Sequence, residues 1–267
     1  MKTPRKTLPR RIPSALLASL MALPFGCAAL AQNTAGPLPN APTPQVHDPE
    51  EATVRNTPRN IFKDQEAIWT SPARLRESNA LLPAAIVLAT TVAITTDHQV
   101  MSSSKLQNAS LNSHATTASN GLMGGFVAAP VIIYGLGRIH HDDHATETGI
   151  LGGEAMVDGL AVTEVLKLVT FRERPNVDGA RGRFFQSGTG LNSSFPSTHS
   201  VIAWSSAAVI ASEYPGPLTQ ITAYGLAAGV SLTRVLGKDH FPSDVLVGSA
   251  VGWMIGRYVV HRHQRQN

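Results

Sequence analysis

Six apolar stretches, each rich in Ala, Gly and Ser, dominate the sequence between residues 80 and 261. All are long for strands, no internal repeat relates them, and Gly, Pro or charged residues bound each one. Small side chains let neighbouring helices approach closely. The pattern therefore predicts one all-α domain, a bundle of six helices. The stretches cover about residues 80–97, 121–138, 150–171, 198–213, 217–236 and 243–261.

The sequence before residue 61 differs in composition from these stretches. Its first 31 residues combine several Lys and Arg residues, an apolar run over residues 15–25 that is too short to cross a membrane, and the small-residue site Ala29-Leu30-Ala31. We therefore expect a signal peptide over residues 1–31; an uncleaved anchor is the alternative. Residues 32–60, rich in Pro, Asn and Thr, are predicted to form a flexible linker.

These boundaries place the helical domain at residues 61–261, with an amphipathic first segment over residues 61–82 and a basic tail over residues 262–267. Two charge-free stretches, 82–96 and 122–137, are shorter than the ~20 residues that a membrane span needs. The third apolar stretch carries four charged residues, which are costly in lipid. We expect a bundle exported whole to the cell envelope, periplasmic or membrane-associated; an integral inner-membrane protein is the alternative.

Two cations and a proline mark the end of the third apolar stretch. Lys167 and Arg174 are seven positions apart, which is two helical turns, so both would lie on one face near the helix end that Pro175 terminates. Cations gathered in this way can bind an anion. The alternative is a solvated basic helix end.

The segment Ser-Ser-Phe-Pro-Ser-Thr-His precedes the fourth apolar stretch. Ser197 and Thr198 are good N-cap residues, and the free N–H groups of a helix start attract anions. His199 would stand beside such an anion. A purely structural histidine is the alternative.

A third polar cluster separates the last two stretches. Thr233 and Arg234 end one stretch, and His240 and Asp244 precede the other. A carboxylate four residues after a histidine can bond one imidazole nitrogen and leave the other nucleophilic. The alternative is a helix N-cap beside a loop histidine.

Taken in order, Lys-x6-Arg-Pro, Pro-Ser-x-His and (Ser/Thr)-Arg-x5-His-x3-Asp resemble the motifs of the type 2 phosphatidic acid phosphatase (PAP2) family. Its superfamily also includes the bacterial class A acid phosphatases and the vanadium haloperoxidases. The haloperoxidases look larger than this chain. The resemblance covers roughly residues 120–261. It differs at two positions: Thr198 stands where Gly is usual, and Thr233 where Ser is usual.

The resemblance implies a role for each matching residue. His240 would attack phosphorus and form a phosphohistidine, with Asp244 orienting it, and His199 would protonate the leaving alkoxide and then activate water. The phosphate oxygens would be held by cationic side chains and backbone N–H groups. These phosphate-binding residues would be Lys167, Arg174, Ser197, Thr198 and Arg234.

No motif calls for a metal or a cofactor at this site. The segment from His140 to His144 has the residue types that bind divalent metals, but a polar connection between helices is the favoured interpretation. The loop over residues 176–192, which contains Arg and Phe, is expected to lie over the pocket and to select the substrate.

The leading hypothesis is a metal-independent phosphatase that hydrolyses a lipid phosphate or an isoprenyl pyrophosphate. A broad-specificity soluble periplasmic acid phosphatase and a non-catalytic envelope binding protein are the alternatives. The net charge is +4 without a continuous Lys/Arg run, so a phosphate-bearing or membrane-surface partner is favoured over a nucleic acid.

Overall fold

The computed structural model describes residues 52–74, 76, 78, 80–186 and 189–264. The predicted signal peptide and most of the predicted linker lie outside the described residues. Within them the fold is all-α, as predicted, and contains no strand. Its seven helices are α1 (Thr57–Thr70), α2 (Leu81–Met101), α3 (Ala109–His140), α4 (Asp143–Thr170), α5 (Thr198–Glu213), α6 (Pro217–Leu236) and α7 (Pro242–Gln264).

The ends of the domain differ from the prediction. Helix α1 begins at Thr57, inside the predicted linker, because Pro58 in its first turn suits a helix start. At the other end α7 continues to Gln264, so Arg262 and His263 belong to a helix and not to a tail. Both residues contact α1, and these contacts extend the ordered helix.

Helices α2 and α3 are longer than the charge-free stretches that they contain. They comprise 21 and 32 residues, and both are long and apolar enough to cross a membrane. The prediction that these segments are too short is therefore wrong. Helix α3 begins at Ala109 because the Asn108 side chain caps it, accepting from the N–H groups of Ser110 and Leu111, both at 3.1 Å.

Helix α7 packs closely on α5, and this contact fixes the relative position of the two helices. Gly248, Gly252 and Gly256 recur every four residues and form one face of α7. A methyl group at Gly248 would come within 2.7 Å of the Ser197 carbonyl oxygen, and methyl groups at the other two would meet the α5 backbone. Only glycine allows this approach, which brings the start of α7 to the start of α5.

A buried guanidinium then joins three parts of the chain. Arg172, 1% exposed, follows the end of α4 and lies between the rings of Phe184 and Phe241, at 4.6 and 4.2 Å from their centroids. Its Nη2 is 2.7 Å from Asp97 Oδ2 on α2, and its Nη1 is 2.5 Å from Asp244 Oδ1 on α7. These contacts attach α2 to the start of α7 and to the loop after α4.

We predict that Arg172→Met destabilises the protein by about 3–5 kcal/mol, because Asp97 and Asp244 then stay buried without the guanidinium. Thermal unfolding in detergent checks this. Arg181→Met, at an exposed arginine of the same loop, is the matched control. The double variant Arg172→Met/Asp97→Asn should recover part of the loss, since it removes one buried charge. Equal stability of the two single variants would contradict the role given to Arg172.

Candidate active site

The three polar clusters meet at one end of the bundle, where α4 ends and α5 and α7 begin. A continuous series of contacts links them. Arg174 Nη1 donates to the Asp239 carbonyl at 3.2 Å, and Arg234 Nη1 lies 3.1 Å from Asp239 Oδ2. Asn120 Oδ1 in turn contacts Arg234 Nη1 at 3.4 Å and His199 Nε2 at 3.1 Å. Two arginines and a histidine from distant parts of the sequence therefore border one small volume.

The pKa of His199 reflects its burial and the positive charge that surrounds its side chain. Burial lowers the pKa of His199 to about 3, and nearby positive charges add to this effect. The permanently charged side chains among them are Arg234, Lys167 and Arg174. Such a concentration of positive charge favours a bound anion, because a dianion would offset the repulsion and raise the pKa of His199 again.

His240 lies between a carbonyl and a carboxylate. Its Nδ1 is 2.8 Å from the Ser194 carbonyl oxygen and 3.5 Å from Asp244 Oδ2. Both neighbours are acceptors, so Nδ1 carries the proton and Nε2 keeps its lone pair in the neutral ring. Burial lowers the pKa of His240, although Asp244 opposes this effect. The neutral form, which can act as a nucleophile, is therefore favoured near neutral pH.

Asp244 does more than pair with His240. Its Oδ2 accepts hydrogen bonds from the Ser194 hydroxyl and, at 2.8 Å, from the Phe241 N–H. It thereby fixes both the segment whose carbonyl binds His240 and the turn that carries His240. The residue spacing predicted the pairing of Asp244 with His240. No residue spacing indicated Ser194, although its carbonyl oxygen lies closer to His240 Nδ1 than the Asp244 carboxylate does.

The N-terminus of α5 differs in part from the prediction. Ser197 caps the helix as predicted, since its hydroxyl accepts from the Ser200 N–H at 3.4 Å. Its own N–H, however, donates to the Asp244 carbonyl at 3.1 Å. The close approach of α7 thus supplies an acceptor within the protein, and a phosphate contact at Ser197 remains a prediction.

Among the predicted phosphate-binding residues, two buried polar atoms have no hydrogen-bond partner in the described part of the chain. They are the hydroxyl oxygen of Thr198 and Nε of Arg234, which both belong to predicted phosphate-binding residues. Buried donors of this kind are costly unless an acceptor satisfies them. A phosphate oxygen is a suitable acceptor for each. Lys167, the last of the predicted cations, is mostly buried, and its Nζ lies 3.1 Å from Glu164 Oε1.

Asn120 and Asp239 are the contributors to this site that the sequence analysis missed. Asn120 stands 79 residues before His199, immediately before the predicted apolar stretch 121–138. Asp239 lies within the third cluster, where its hydrogen bond from the Thr116 hydroxyl, at 2.8 Å, orients it toward Arg234. No local sequence pattern indicates a role for Asn120. Asp239 could be recognised in the sequence only as a carboxylate in a loop.

The segment from His140 to His144 is a connection between helices, as predicted. His141 has a φ of 56° and ends α3, and the Asp142 side chain caps α4 by accepting from the Ala145 N–H at 3.0 Å. His144 Nε2 lies 3.1 Å from Glu213. Capping therefore accounts for Asp142, one of the carboxylates that suggested a metal site.

The loop after α4 folds back onto the end of that helix. The N–H groups of Phe185 and Gln186 donate to the carbonyls of Thr170 and Phe171, at 2.8 and 3.0 Å. Arg183 Nη2 contacts Glu173 at 3.1 Å, and this bond lowers the pKa of Glu173. The contacts fix one side of the loop; its predicted position over the pocket remains a prediction.

An apolar groove of about 560 Å³ opens beside His199. One face of α3 lines it from Asn120 to Ile132, and the repeat of three and four residues places small and branched side chains on that face. Gly124 and Ala128 form its floor, and a Cβ at Gly124 would meet no atom within 4 Å. The groove therefore joins a cationic site to a surface suited to an apolar chain.

Comparison with known proteins places these features in a family. Residues 149–267 match the family model described as the PAP2 superfamily. A 77-residue segment is 35% identical to the lipid A 1-phosphatase of Porphyromonas gingivalis; it covers 28% of this chain and 17% of that protein, so this chain spans under a fifth of that relative.

A similar fold occurs in a solved structure, a transmembrane PAP2 type phosphatidylglycerolphosphate phosphatase from Bacillus subtilis. The TM-score is 0.52 at 21% identity, and the match covers 68% of this chain and 96% of that one. At this identity the likeness concerns the fold alone. All three polar clusters lie within residues 149–267, the part of the chain that matches the PAP2 superfamily.

Proposed function

We propose that the protein is a metal-independent phosphatase that removes a phosphate group from a lipid. The observation that carries this proposal is the adjacency of two surfaces at His199: a cationic site with unpartnered donors on one side and the apolar groove of α3 on the other. A phosphate ester with a long apolar tail would occupy both. The names of the two relatives, which act on lipid A and on phosphatidylglycerolphosphate, agree with this substrate class.

The first chemical step transfers the phosphoryl group to the protein. His240 Nε2 donates its lone pair to phosphorus, and the bond between phosphorus and the ester oxygen breaks. Arg174 and Arg234 would stabilise the negative charge on the transferring group through charge-assisted hydrogen bonds. The leaving alkoxide takes a proton from His199, which a bound dianion makes easier to protonate.

The second step returns the phosphoryl group to water. His199, now neutral, accepts a proton from a water molecule as that water attacks phosphorus, and the bond from phosphorus to His240 Nε2 breaks. Inorganic phosphate leaves and both histidines recover their starting states. The Ser194 carbonyl and Asp244 hold the proton of His240 on Nδ1 throughout, so that Nε2 stays the reacting atom.

Membrane association follows from the outer surface of the bundle. Large apolar side chains on α2 and α3 face outward, for example Leu88 at 67%, Val131 at 69% and Ile139 at 71% exposure. Exposed apolar area of this extent marks contact with a membrane or a partner. A lipid substrate would then reach the groove from the bilayer. Export of the site to the periplasmic side remains a prediction, since the N-terminal segment lies outside the described residues.

We expect His240→Ala to lower the turnover number by about a thousandfold or more, because the nucleophile is removed. His261→Ala, at an exposed histidine near the end of α7, is the control and should retain activity. Quenching the wild type at alkaline pH with ³²P-labelled substrate should trap phosphohistidine, and His240→Ala should not. Substantial turnover by His240→Ala would disprove the assignment.

A second prediction addresses the substrate class. Gly124→Leu should fill the groove and lower kcat/KM for a long-chain lipid phosphate by about tenfold or more, in line with the effect of a few lost apolar contacts. Turnover of p-nitrophenyl phosphate should change little, since that substrate needs only the cationic site.

Gly125→Leu is the matched control, because it adds the same side chain to the next residue, which also has open space and does not line the groove. An equal loss with both substrates would mean that the groove supports the site and does not bind the tail. A wild type that prefers the aryl phosphate would favour the soluble acid phosphatase alternative. Tight vanadate binding without any turnover would favour the binding protein.

A further inference from the structure

Three buried carboxylates lie together between α1 and α4, at a distance from the candidate active site. Asp64 belongs to α1, Glu154 and Asp158 belong to α4, and each is 0% exposed. An oxygen atom from each carboxylate lies within 4.8 Å of the other two. Asp158 precedes Lys167 by nine residues, about 14 Å along a helix. This acidic cluster is therefore separate from the phosphate-binding residues.

Charge balance is the first difficulty that this arrangement raises. Three carboxylates in one buried volume require positive charge or bound protons. Arg262 of α7 contributes one positive charge through its contact with Asp64. Gln65 donates to Asp158 Oδ1 at 2.8 Å but is neutral. A divalent cation together with Arg262 would match the charge of the three carboxylates.

Unpartnered oxygen atoms are a second, independent observation. Asn60 is 1% exposed, and its Oδ1 has no hydrogen-bond partner in the described part of the chain. Its amide nevertheless lies against the acidic cluster, with Nδ2 3.5 Å from Glu154 Oε2. One oxygen of each carboxylate is unpartnered in the same way: Asp64 Oδ2, Glu154 Oε1 and Asp158 Oδ2. Buried acceptors gathered at one place are satisfied together when they coordinate a cation.

His263 holds the Asn60 amide in this position. Its Nδ1 is 2.9 Å from the Val259 carbonyl oxygen, which can only accept, so Nδ1 carries the proton and Nε2 presents a lone pair. That lone pair faces Asn60 Nδ2 at 3.5 Å. Asn60 Nδ2 therefore lies 3.5 Å from both His263 Nε2 and Glu154 Oε2, and these contacts hold the amide group beside the acidic cluster.

We propose that Asp64, Glu154 and Asp158 bind a hard divalent cation, Ca²⁺ or Mg²⁺, with the Asn60 amide oxygen as a further ligand. Carboxylate and amide oxygens are the ligands that these two ions prefer. The bound ion fastens α1 to α4 and so closes the bundle at a point remote from the reaction. This inference does not rest on the proposed function, because none of these residues takes part in phosphate binding.

The test uses the full chain, purified in detergent and freed of metal with EDTA. Adding Ca²⁺ or Mg²⁺ alone should raise the unfolding temperature, and calorimetry should give one site per chain. Asp158→Asn should weaken cation binding by at least about tenfold, since one charged ligand is lost. Glu66→Gln, which removes an exposed carboxylate of α1, is the matched control and should bind like the wild type.

Two results would contradict the proposed cation site. If neither ion binds the wild type near one per chain or changes its unfolding temperature, the proposal is wrong, whatever the variants do. A rise in stability of metal-free Glu154→Gln or Asp158→Asn, with no cation effect on the wild type, would show that the carboxylates share protons instead. Because the wild-type measurement decides, a variant that fails to fold does not leave the question open.

Discussion

The guanidinium of Arg172 is the contact on which the geometry of the site depends. It is buried between two aromatic rings and bonded to Asp97 and Asp244, which belong to helices that are far apart in sequence. A buried arginine is tolerated only when its donors are satisfied, so each partner must be in place for the others to be. Asp244 in turn holds Ser194 and the Phe241 N–H, and through them the orientation of His240.

Glycine on α7 makes this arrangement possible. The face formed by Gly248, Gly252 and Gly256 brings α7 so close to α5 that the Ser197 N–H reaches the Asp244 carbonyl. One consequence is that an N–H group expected to bind phosphate is used inside the protein. The unpartnered groups near this position are instead side-chain atoms, the Thr198 hydroxyl and Arg234 Nε. Thr198 stands where related motifs usually have glycine.

Two kinds of buried charge are separated along the bundle. At the end that carries His199 the charges are mainly positive, and they add to the burial that lowers the pKa of His199. Where α1 packs on α4 the charges are mainly negative and gather around Asp64. Each group is unfavourable in isolation, because a low-dielectric interior strengthens repulsion between like charges. A phosphate ester at one end and a cation at the other would relieve both.

The sequence by itself determined the all-α class, through apolar stretches too long for strands, and it marked the candidate site residues through their spacing along the chain. The separation of His240 and Asp244 is a local spacing of this kind. Lys167 and Arg174 do not share a helix face, contrary to the prediction, because α4 ends at Thr170 and Phe171 is left-handed. Only the tertiary structure decided what long-range packing controls: the contact of Asn120 with His199, the buried Arg172, the hydrogen bond from the Ser197 N–H to Asp244, and the packing of α1 on α4 and α7. The length of α7 also depended on it, because the contacts of Arg262 and His263 with α1 carry that helix beyond its apolar stretch. Such contacts join residues that are tens to hundreds of positions apart, and no periodicity in the chain encodes them.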